Sequence, residues 1–515
     1  MQRIIVVASL ITLSAMTVVH AQNVDNALNF ASTSSSGTAR SIGFGSTLGS
    51  VGGDFSSTSV NPAGLGIYRS NEISFSPLFH DAFSSSMYQQ NQTTDQAFKM
   101  GVGQFGLVLT DAPKGRRYNY RDWKSVAFAV GMERIADFNR NYNYSGNNYT
   151  SSASQAFEAD ANRDTMNAYH NGVTGTLGNI GVDAGLLTGD VGFQRTIVPF
   201  KSGILQTNSV QERGSINSVN IGLGGNYKEK ILLGVSLGIP VVNYTRNTSY
   251  TESPLSPNSN NPYRFNSFTY NEETSVNGSG INMKLGLIWK MTENIRIGAA
   301  VHTPTYYSLT SVYDFGILSN VGGTQADYST RNGGYLPSTF DYSYFSPAKA
   351  VLSATFLAGK LGFVSADYEY INYSTMHYAF PAGTDVVNET SFQQEANAIN
   401  TSIRKLYTSS SNLRVGGELV LMKHLMLRGG LGFYGSPLAD GSSDLQRIDV
   451  SGGLGVRTRH FFADFGIRNT TYTVSEQPYN SLDFKYIYSG SQVTLPAASV
   501  SLDITNYVLT VGFKF

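Results

Sequence analysis

From residue 71 to its end, the chain alternates apolar and polar residues with a period of two. In "INMKLGLIWK", Ile281, Met283, Leu285, Leu287 and Trp289 share one face, while Asn282, Lys284 and Gly286 share the other. In "HLMLRGGLGF", Leu425, Leu427, Leu431 and Phe433 oppose Met426, Arg428, Gly430 and Gly432. The closing "YVLTVGFKF" sets Tyr507, Leu509, Val511, Phe513 and Phe515 against Val508, Thr510, Gly512 and Lys514. Such a period fits a half-buried strand of a soluble sheet, and equally a strand with lipid on one side and a wet lumen on the other. Fourteen segments of this kind are predicted, near 71–80, 99–110, 122–136, 215–228, 230–247, 266–290, 294–313, 340–357, 359–373, 410–422, 424–436, 445–458, 460–475 and 496–515.

The connections decide between the two settings. Every second one is short, as in "YKEK", "KMTEN", "LAGKL", "LMKHL" and "RTRHF", with "DAPKGRRYNYR" the longest of this set. The others are long and polar: 81–98, 137–214, 248–265, 314–339, 374–409 and 476–495. Short turns on one side and long loops on the other are the arrangement of outer-membrane barrels, whose strand number is even. The fold class expected is therefore all-β, a 14-stranded antiparallel transmembrane β-barrel over 71–515. Trp123 and Trp289, the only two Trp, each fall beside a short turn, where an aromatic girdle belongs.

Two N-terminal segments stand outside this pattern. Residues 1–21 read as a secretory signal peptide: Arg3, a mostly apolar run from Ile4 to Val19, and Val19-His20-Ala21 as a cleavage site. The apolar run is short for a spanning helix, which needs roughly 20 residues. Beyond it no apolar stretch is long enough to cross a bilayer as a helix, so a spanning chain must do so as a closed barrel. Residues 22–70 are rich in Ser, Gly and Thr. A fourteen-strand cylinder is too wide for its own wall side chains to fill, so this segment is expected to fold back into the lumen. Asn61-Pro62 marks a turn of restricted geometry.

Composition narrows the function classes. With 53 Gly, 31 Tyr, 29 Phe, 14% charged residues and a formal net charge of zero, the chain is neither a disordered polymer nor a basic nucleic-acid binder. The absence of Cys excludes a disulfide framework and a lipid-modified cysteine.

The segment "ARSIGFGSTLGSVGGDFSSTSVNPAGLGIYRSNEISFSP" resembles the N-terminal hatch of the FadL/TodX family of outer-membrane transporters for long-chain fatty acids and aromatic hydrocarbons. The matching residues are Ala39-Arg40-Ser41, Gly45, Asp54 and Asn61-Pro62-Ala63-Gly64-Leu65, with weaker pieces at "FSPAKAVLSATF", "SADYEYINYS" and "LRGGLGFYGSPL". The resemblance implies a hatch (plug) in the lumen over 22–70, with Arg40, Asp54, Asn61, Pro62, Ala63 and Gly64 as hatch elements. It also implies capture of a hydrophobic ligand from outside and lateral release at a kinked third strand. Gly131 is the candidate for that kink, because Gly inside a strand often marks a bend.

Alternation places Arg296, His302, Arg414, Glu418, Arg428, Asp449, Asp464 and Arg468 inside the barrel. They read either as partners for a polar substrate group or as a network pairing charges across neighbouring strands. The loop 137–214 carries two runs of helical spacing, Phe157, Ala161, Thr165, Tyr169 and Leu177, Ile180, Ala184, Leu187, suited to a capture groove or to a cap. "GVSLG" at 234–238 spells a nucleophile elbow, but Leu233, Val235, Leu237 and Ile239 continue one strand through it, and the elbow needs a strand-turn-helix. The seven His show no metal-ligand pairing, and "ADGSSD" lacks enough spaced carboxylates for calcium. No enzyme activity, cofactor or metal is expected.

The function expected is passive uptake of hydrophobic small molecules through the outer membrane of a Gram-negative bacterium. The partners expected are a hydrophobic ligand, outer-membrane lipid and lipopolysaccharide, and the barrel assembly machinery through the Phe515 strand. The rival expectation is a barrel of the same family serving as a protein-docking shuttle of type IX secretion. A continuous apolar cavity from loops to hatch favours transport; a polar, sealed lumen favours docking.

Overall fold

In the computed structural model, residues 20–32, 36–163, 177–190, 194–256, 261–329, 337–380, 386–422, 424–479 and 495–515 are described. The signal-peptide reading therefore falls almost wholly outside the described residues, as do Thr165 and Tyr169 of the helical spacing and most of the expected loop 476–495.

Fourteen wall strands form one closed antiparallel sheet. They are β1 (Glu72–Tyr88), β2 (Asn91–Asp111), β3 (Trp123–Asp137, resuming as Arg140–Asn148), β4 (Ile204–Tyr227), β5 (Ile231–Pro254), β6 (Phe265–Lys290), β7 (Ile295–His302 and Tyr306–Val321), β8 (Ser338–Phe345 and Lys349–Leu357), β9 (Gly362–Asn372), β10 (Ser409–Met422), β11 (Leu425–Tyr434), β12 (Arg447–Arg457), β13 (Phe461–Glu476) and β14 (Ala498–Lys514). Pairing of β1 with β14, from Glu72 opposite Lys514 to Met87 opposite Ser499, closes the cylinder. Pro304 and Pro347, which have no N–H to give to a ladder, sit in the breaks of β7 and β8.

Side-chain exposure follows the predicted alternation. On β14, Leu509 and Phe513 are 43% and 55% exposed while Val508 and Thr510 are fully buried, so the outward face is the apolar one. Leu285, Leu287 and Trp289 on β6 and Leu427, Leu431 and Phe433 on β11 continue the same outward belt. An apolar band around a closed barrel is stable against hydrocarbon and unfavourable against water, so this surface belongs in a bilayer.

The strands run further than expected on the long-loop side. Residues 81–98, predicted as a loop, are the continuation of β1 and the start of β2, joined by a two-residue turn at Gln89-Gln90, both at positive φ. Residues 140–148 and 204–214 likewise extend β3 and β4 rather than belonging to the loop predicted over 137–214. Here the outward face keeps only scattered apolar residues such as Phe83, Met87 and Phe98 among Ser, Thr, Gln and Asn, so the apolar alternation is diluted while the pairing continues. The remainder of that loop holds α4 (Ser154–Arg163) and α5 (Leu177–Asp183). Phe157 packs at 6.0 Å from Phe268 and 5.7 Å from Tyr270, so this element is a packed cap on the extended strands rather than an open groove.

On the short-turn side, Glu229 anchors the β4–β5 turn. Its carboxylate accepts hydrogen bonds from Lys290, from Tyr118 at 2.7 Å, from Asn226 at 2.9 Å and from Arg69 at 2.6 Å. Partial burial pushes this carboxyl up, but the bonds from Lys290, Tyr118 and Asn226 outweigh it and hold it down at about 2. A depressed folded-state value means the turn's stabilisation is complete above the ordinary value of 4.5 and is lost as pH falls through about 2. Glu229→Gln is therefore expected to lower the thermal midpoint clearly at pH 7 and only slightly at pH 2, where the carboxyl is already partly protonated in the folded state. Parallel melts of both proteins at the two pH values check this.

Candidate functional site

The lumen is filled from within by residues 36–68, nearly all buried. Their fold is set by short polar caps. Thr38 accepts from Ser41 N–H at 3.1 Å to start helix α2 (Ala39–Gly43), and donates at 2.8 Å to Asp54, which also accepts from Ser56 N–H at 3.0 Å. Asn61 follows α3 (Ser57–Val60) and caps the 3₁₀ turn Pro62–Ile67, accepting from Ala63 N–H at 3.1 Å. Pro62 opens that turn, where its missing N–H costs nothing. Gly64 lies against Gly52, whose φ is +69°, so that the two backbones touch.

This plug is fastened to the wall by residues the sequence placed inside the barrel. The amide of Asn61 donates to Gly49 O at 2.6 Å within the plug and to Leu287 O and Ala299 O on the wall at 3.2 and 3.3 Å. A Cβ on Gly286 would stand 1.9 Å from Asn61 Oδ1, and one on Gly416 would stand 1.9 Å from Phe44 O. The wall glycines are the means by which plug backbone reaches wall backbone. Arg296 donates to Val51 O and His302 Nε2–H to Val60 O, both at 2.9 Å. Glu418 accepts from Arg40 Nε at 3.1 Å and from Arg428 Nε at 2.7 Å, and Arg428 reaches Asp464 at 2.7 Å. Arg40 also lies 3.8 Å from Asp54 and donates to Gly53 O.

Five of the eight predicted lumenal residues (Arg296, His302, Glu418, Arg428 and Asp464) thus belong to plug docking. Of the other three, Asp449 sits 3.4 Å from Arg447, while Arg414 and Arg468 border cavities.

On the loop side of the plug lies a cavity of about 360 Å³, within the range of about 300–1,000 Å³ usual for small-molecule sites. Its lining includes the apolar side chains Leu28, Phe138, Ile371, Leu438, Val500 and Leu502. Among these runs a chain of charges in which Glu212 accepts from Arg140 and, at 3.0 Å, from Arg246, which in turn reaches Glu476. Two arginines face two glutamates, so this chain is polar but electrically balanced. Sequence reasoning missed this group because Arg140, Glu212 and Glu476 were assigned to loops, leaving Arg246 at the end of the predicted strand 230–247 without a visible partner. Arg140, Tyr142 and Tyr144 continue the period of two past residue 137, and that is the signal that would have found them.

Helix α1 (His20–Ala31) enters the lumen beside this cavity. Phe30 is fully buried, edge-on to Phe138, Tyr244 and Tyr344 at 6.3, 6.0 and 6.2 Å, and Tyr344 OH donates to Ala27 O at 2.7 Å. Helix α6 (Val386–Leu406) closes over this cluster with Ala396, Ile399 and Ile403.

The wall beside the cavity is interrupted. The β2–β3 ladder runs only from Asp111 opposite Val126 to Gln104 opposite Glu133. Above it, residues 91–103 pair with β1 alone, and 134–148 pair with β4 alone. Side chains bridge the far end, where Asn91 donates to Ser145 O at 2.9 Å and Asn143 to Asp95 at 3.1 Å. Between lies a window at 97–103 and 134–139, where the Arg134 guanidinium lies over Gly101 and Ser36 N–H donates to Arg134 O at 2.9 Å. Ser36, Ala136, Asp137, Phe138 and Arg140 line both this edge and the cavity.

Gly131, predicted as the kink, sits in unbroken ladder opposite Gly106 and Asn220. The register shifts of β3 against β4 fall at Trp123/Ser125 and Arg134/Ala136. A Cβ on Gly131 would meet Phe105 O at 2.2 Å and Phe55 of the plug at 2.6 Å, so this glycine admits the plug. The elbow spelling at 234–238 is straight strand within β5.

No family model matches the chain, and no curated protein sequence matches it. Solved structures do. A FadL homologue of Pseudomonas aeruginosa superposes with a TM-score of 0.53 at 13% identity, covering 94% of this chain and 99% of that one. The toluene transporter TodX of Pseudomonas putida gives 0.50 at 15% identity, with 93% and 98% covered. The chain has the fold of these barrels over nearly its whole length.

Proposed function

We propose that the protein is an outer-membrane channel for passive uptake of hydrophobic small molecules in a Gram-negative bacterium. The ligand is held in the 360 Å³ cavity above the plug and leaves through the β2–β3 window into the membrane. The observation that carries this reading is the junction of the two features: the cavity is lined by the residues at which the strands part. An apolar solute crosses a charged lipopolysaccharide leaflet poorly, and a sheltered chamber opening sideways lets it reach hydrocarbon without passing through water. The plug blocks a straight path to the periplasm, which makes the lateral path the shorter one. The fold shared with a toluene transporter supports the same direction of argument.

The test is to staple the window. The chain has no Cys, so Gly101→Cys with Arg134→Cys, at the two edges that the Arg134 side chain spans, makes a unique pair across the window. With a short thiol cross-linker in place, transfer of a fluorescent alkyl probe into proteoliposome membranes is expected to slow by about tenfold or more. Cleaving the linker restores it. Equal rates in the stapled and open forms would overturn the lateral path.

A further inference from the structure

The short-turn end of the barrel holds an excess of positive charge. Lys114, Arg116, Arg117, Lys230, Lys360 and Arg459 are all exposed there, and among the described residues none of them is paired with a carboxylate. The exposed carboxylates at that end are Asp111, Asp122 and Glu293; Arg121 takes the first at 2.7 Å and Lys228 lies 3.7 Å from the second. The chain as a whole is neutral, with 36 Lys and Arg against 36 Asp and Glu, so the excess is a segregation of charge and not a basic composition. Lys114, Arg116 and Arg117 share one connection, 112–122 between β2 and β3. Its helical turn Arg116–Tyr120 buries none of its residues. The connection is nevertheless pinned: Arg121 to Asp111 closes its base, Tyr118 OH donates to Glu229 at 2.7 Å, and Lys124 Nζ donates to Tyr118 O at 2.6 Å. The pins leave Lys114, Arg116, Arg117 and Tyr120 in the open, with Tyr120 88% exposed.

A held loop that presents cations and a tyrosine to its surroundings has no packing of its own to account for them. Its level on the barrel does. Trp123, three residues beyond Tyr120, is 44% exposed and edge-on to Tyr227 at 5.5 Å, and Trp289 on β6 is 45% exposed. Trp and Tyr gather where hydrocarbon meets water. Lys and Arg at that level reach lipid phosphates while their stems lie along apolar surface. Lys360-Leu361 repeats the pairing of a cation with an exposed apolar side chain, Leu361 being 65% exposed. We propose that the β2–β3 connection docks anionic phospholipid of the leaflet on the short-turn side, with Lys114, Arg116 and Arg117 on head-group phosphates and Tyr120 at the acyl boundary. Lipid is favoured over a soluble acidic partner because the cations stand beside Trp123, at the edge of the belt that lipid already covers. The connection is also the covalent link between the strands that part at the window, so a docked lipid fixes their common base. This inference rests on the belt lying in a bilayer and not on a ligand in the chamber, so the two fail separately.

Asn119→Cys, exposed in the helical turn of a chain without Cys, takes a unique nitroxide label. The full barrel is reconstituted in vesicles of phosphatidylcholine alone or of phosphatidylcholine mixed with phosphatidylglycerol. Both leaflets then have one composition, so the direction of insertion does not matter. Collision of the label with a neutral, water-soluble nickel chelate is expected to fall about threefold or more in the anionic vesicles, as cations drawn to a charged surface imply. High salt is expected to abolish the fall, because the Debye length contracts to about 3 Å at 1 M. With Lys114→Gln, Arg116→Gln and Arg117→Gln together, collision is expected to be equal in both vesicles. Equal collision in the two vesicles without those substitutions would overturn the proposal and leave the loop to a soluble acidic partner. A fall that survives the triple substitution would overturn it too, since the attraction would then lie elsewhere on the rim.

Discussion

Replacing Glu418 with Ala is expected to unfasten the plug while leaving the barrel closed. Glu418 is the shared acceptor of two guanidiniums, Arg40 of the plug and Arg428 of the wall, at 3.1 and 2.7 Å. Both arginines are almost completely buried. Removing one partner of a buried pair leaves an uncompensated charge and typically costs about 3–5 kcal/mol. Arg428 keeps Asp464 at 2.7 Å, whereas Arg40 keeps only Asp54 at 3.8 Å and the Gly53 carbonyl, so the larger loss falls on Arg40 and on the plug. The measurement is limited proteolysis of residues 36–68 together with single-channel conductance in planar bilayers. The variant is expected to be cleaved within the plug and to conduct, where wild type is protected and closed. A variant as protected as wild type would show that the backbone contacts of Asn61 and the wall glycines suffice.

Phe30→Ala is expected to release helix α1 from the lumen. The ring is enclosed by Phe138, Tyr244 and Tyr344, and nothing else in α1 buries comparable aromatic area. Truncating a buried Phe costs about 3–5 kcal/mol. A single helix of this length has little stability apart from its packing. Amide exchange across residues 20–32 is expected to accelerate strongly, with the wall strands unchanged. Unchanged protection of this segment would mean that the Tyr344–Ala27 bond and the Leu28 contacts carry the docking instead.

How far the structure was legible in the sequence differs by feature. The strand number, the outward apolar belt and the presence of a small-residue segment inside the barrel all follow from local pattern and size. Inward placement of Arg296, His302, Glu418 and Arg428 was legible too, but their partners were not. Alternation fixes the face on which a side chain lies, whereas the plug carbonyls at Val51 and Val60 are set by tertiary packing. The strand extensions at 81–98 and 140–148 escaped because pairing above the membrane needs no apolar face. The window escaped for a deeper reason: a missing ladder leaves no residue signature. A glycine in β3 drew attention to Gly131, where the ladder is intact, while the parting begins past Gln104 and Glu133, two residues with nothing strand-breaking about them.

The central claim is that the chamber above the plug holds a hydrophobic small molecule. Mass spectrometry of small molecules carried by the purified barrel, extracted in two unrelated detergents, tests it most directly. The account predicts an amphiphile or hydrocarbon near one per barrel in both preparations, lost from a Leu438→Arg variant that places a charge among the apolar side chains lining the chamber. An empty chamber in both detergents, with secreted proteins co-purifying instead, would contradict it.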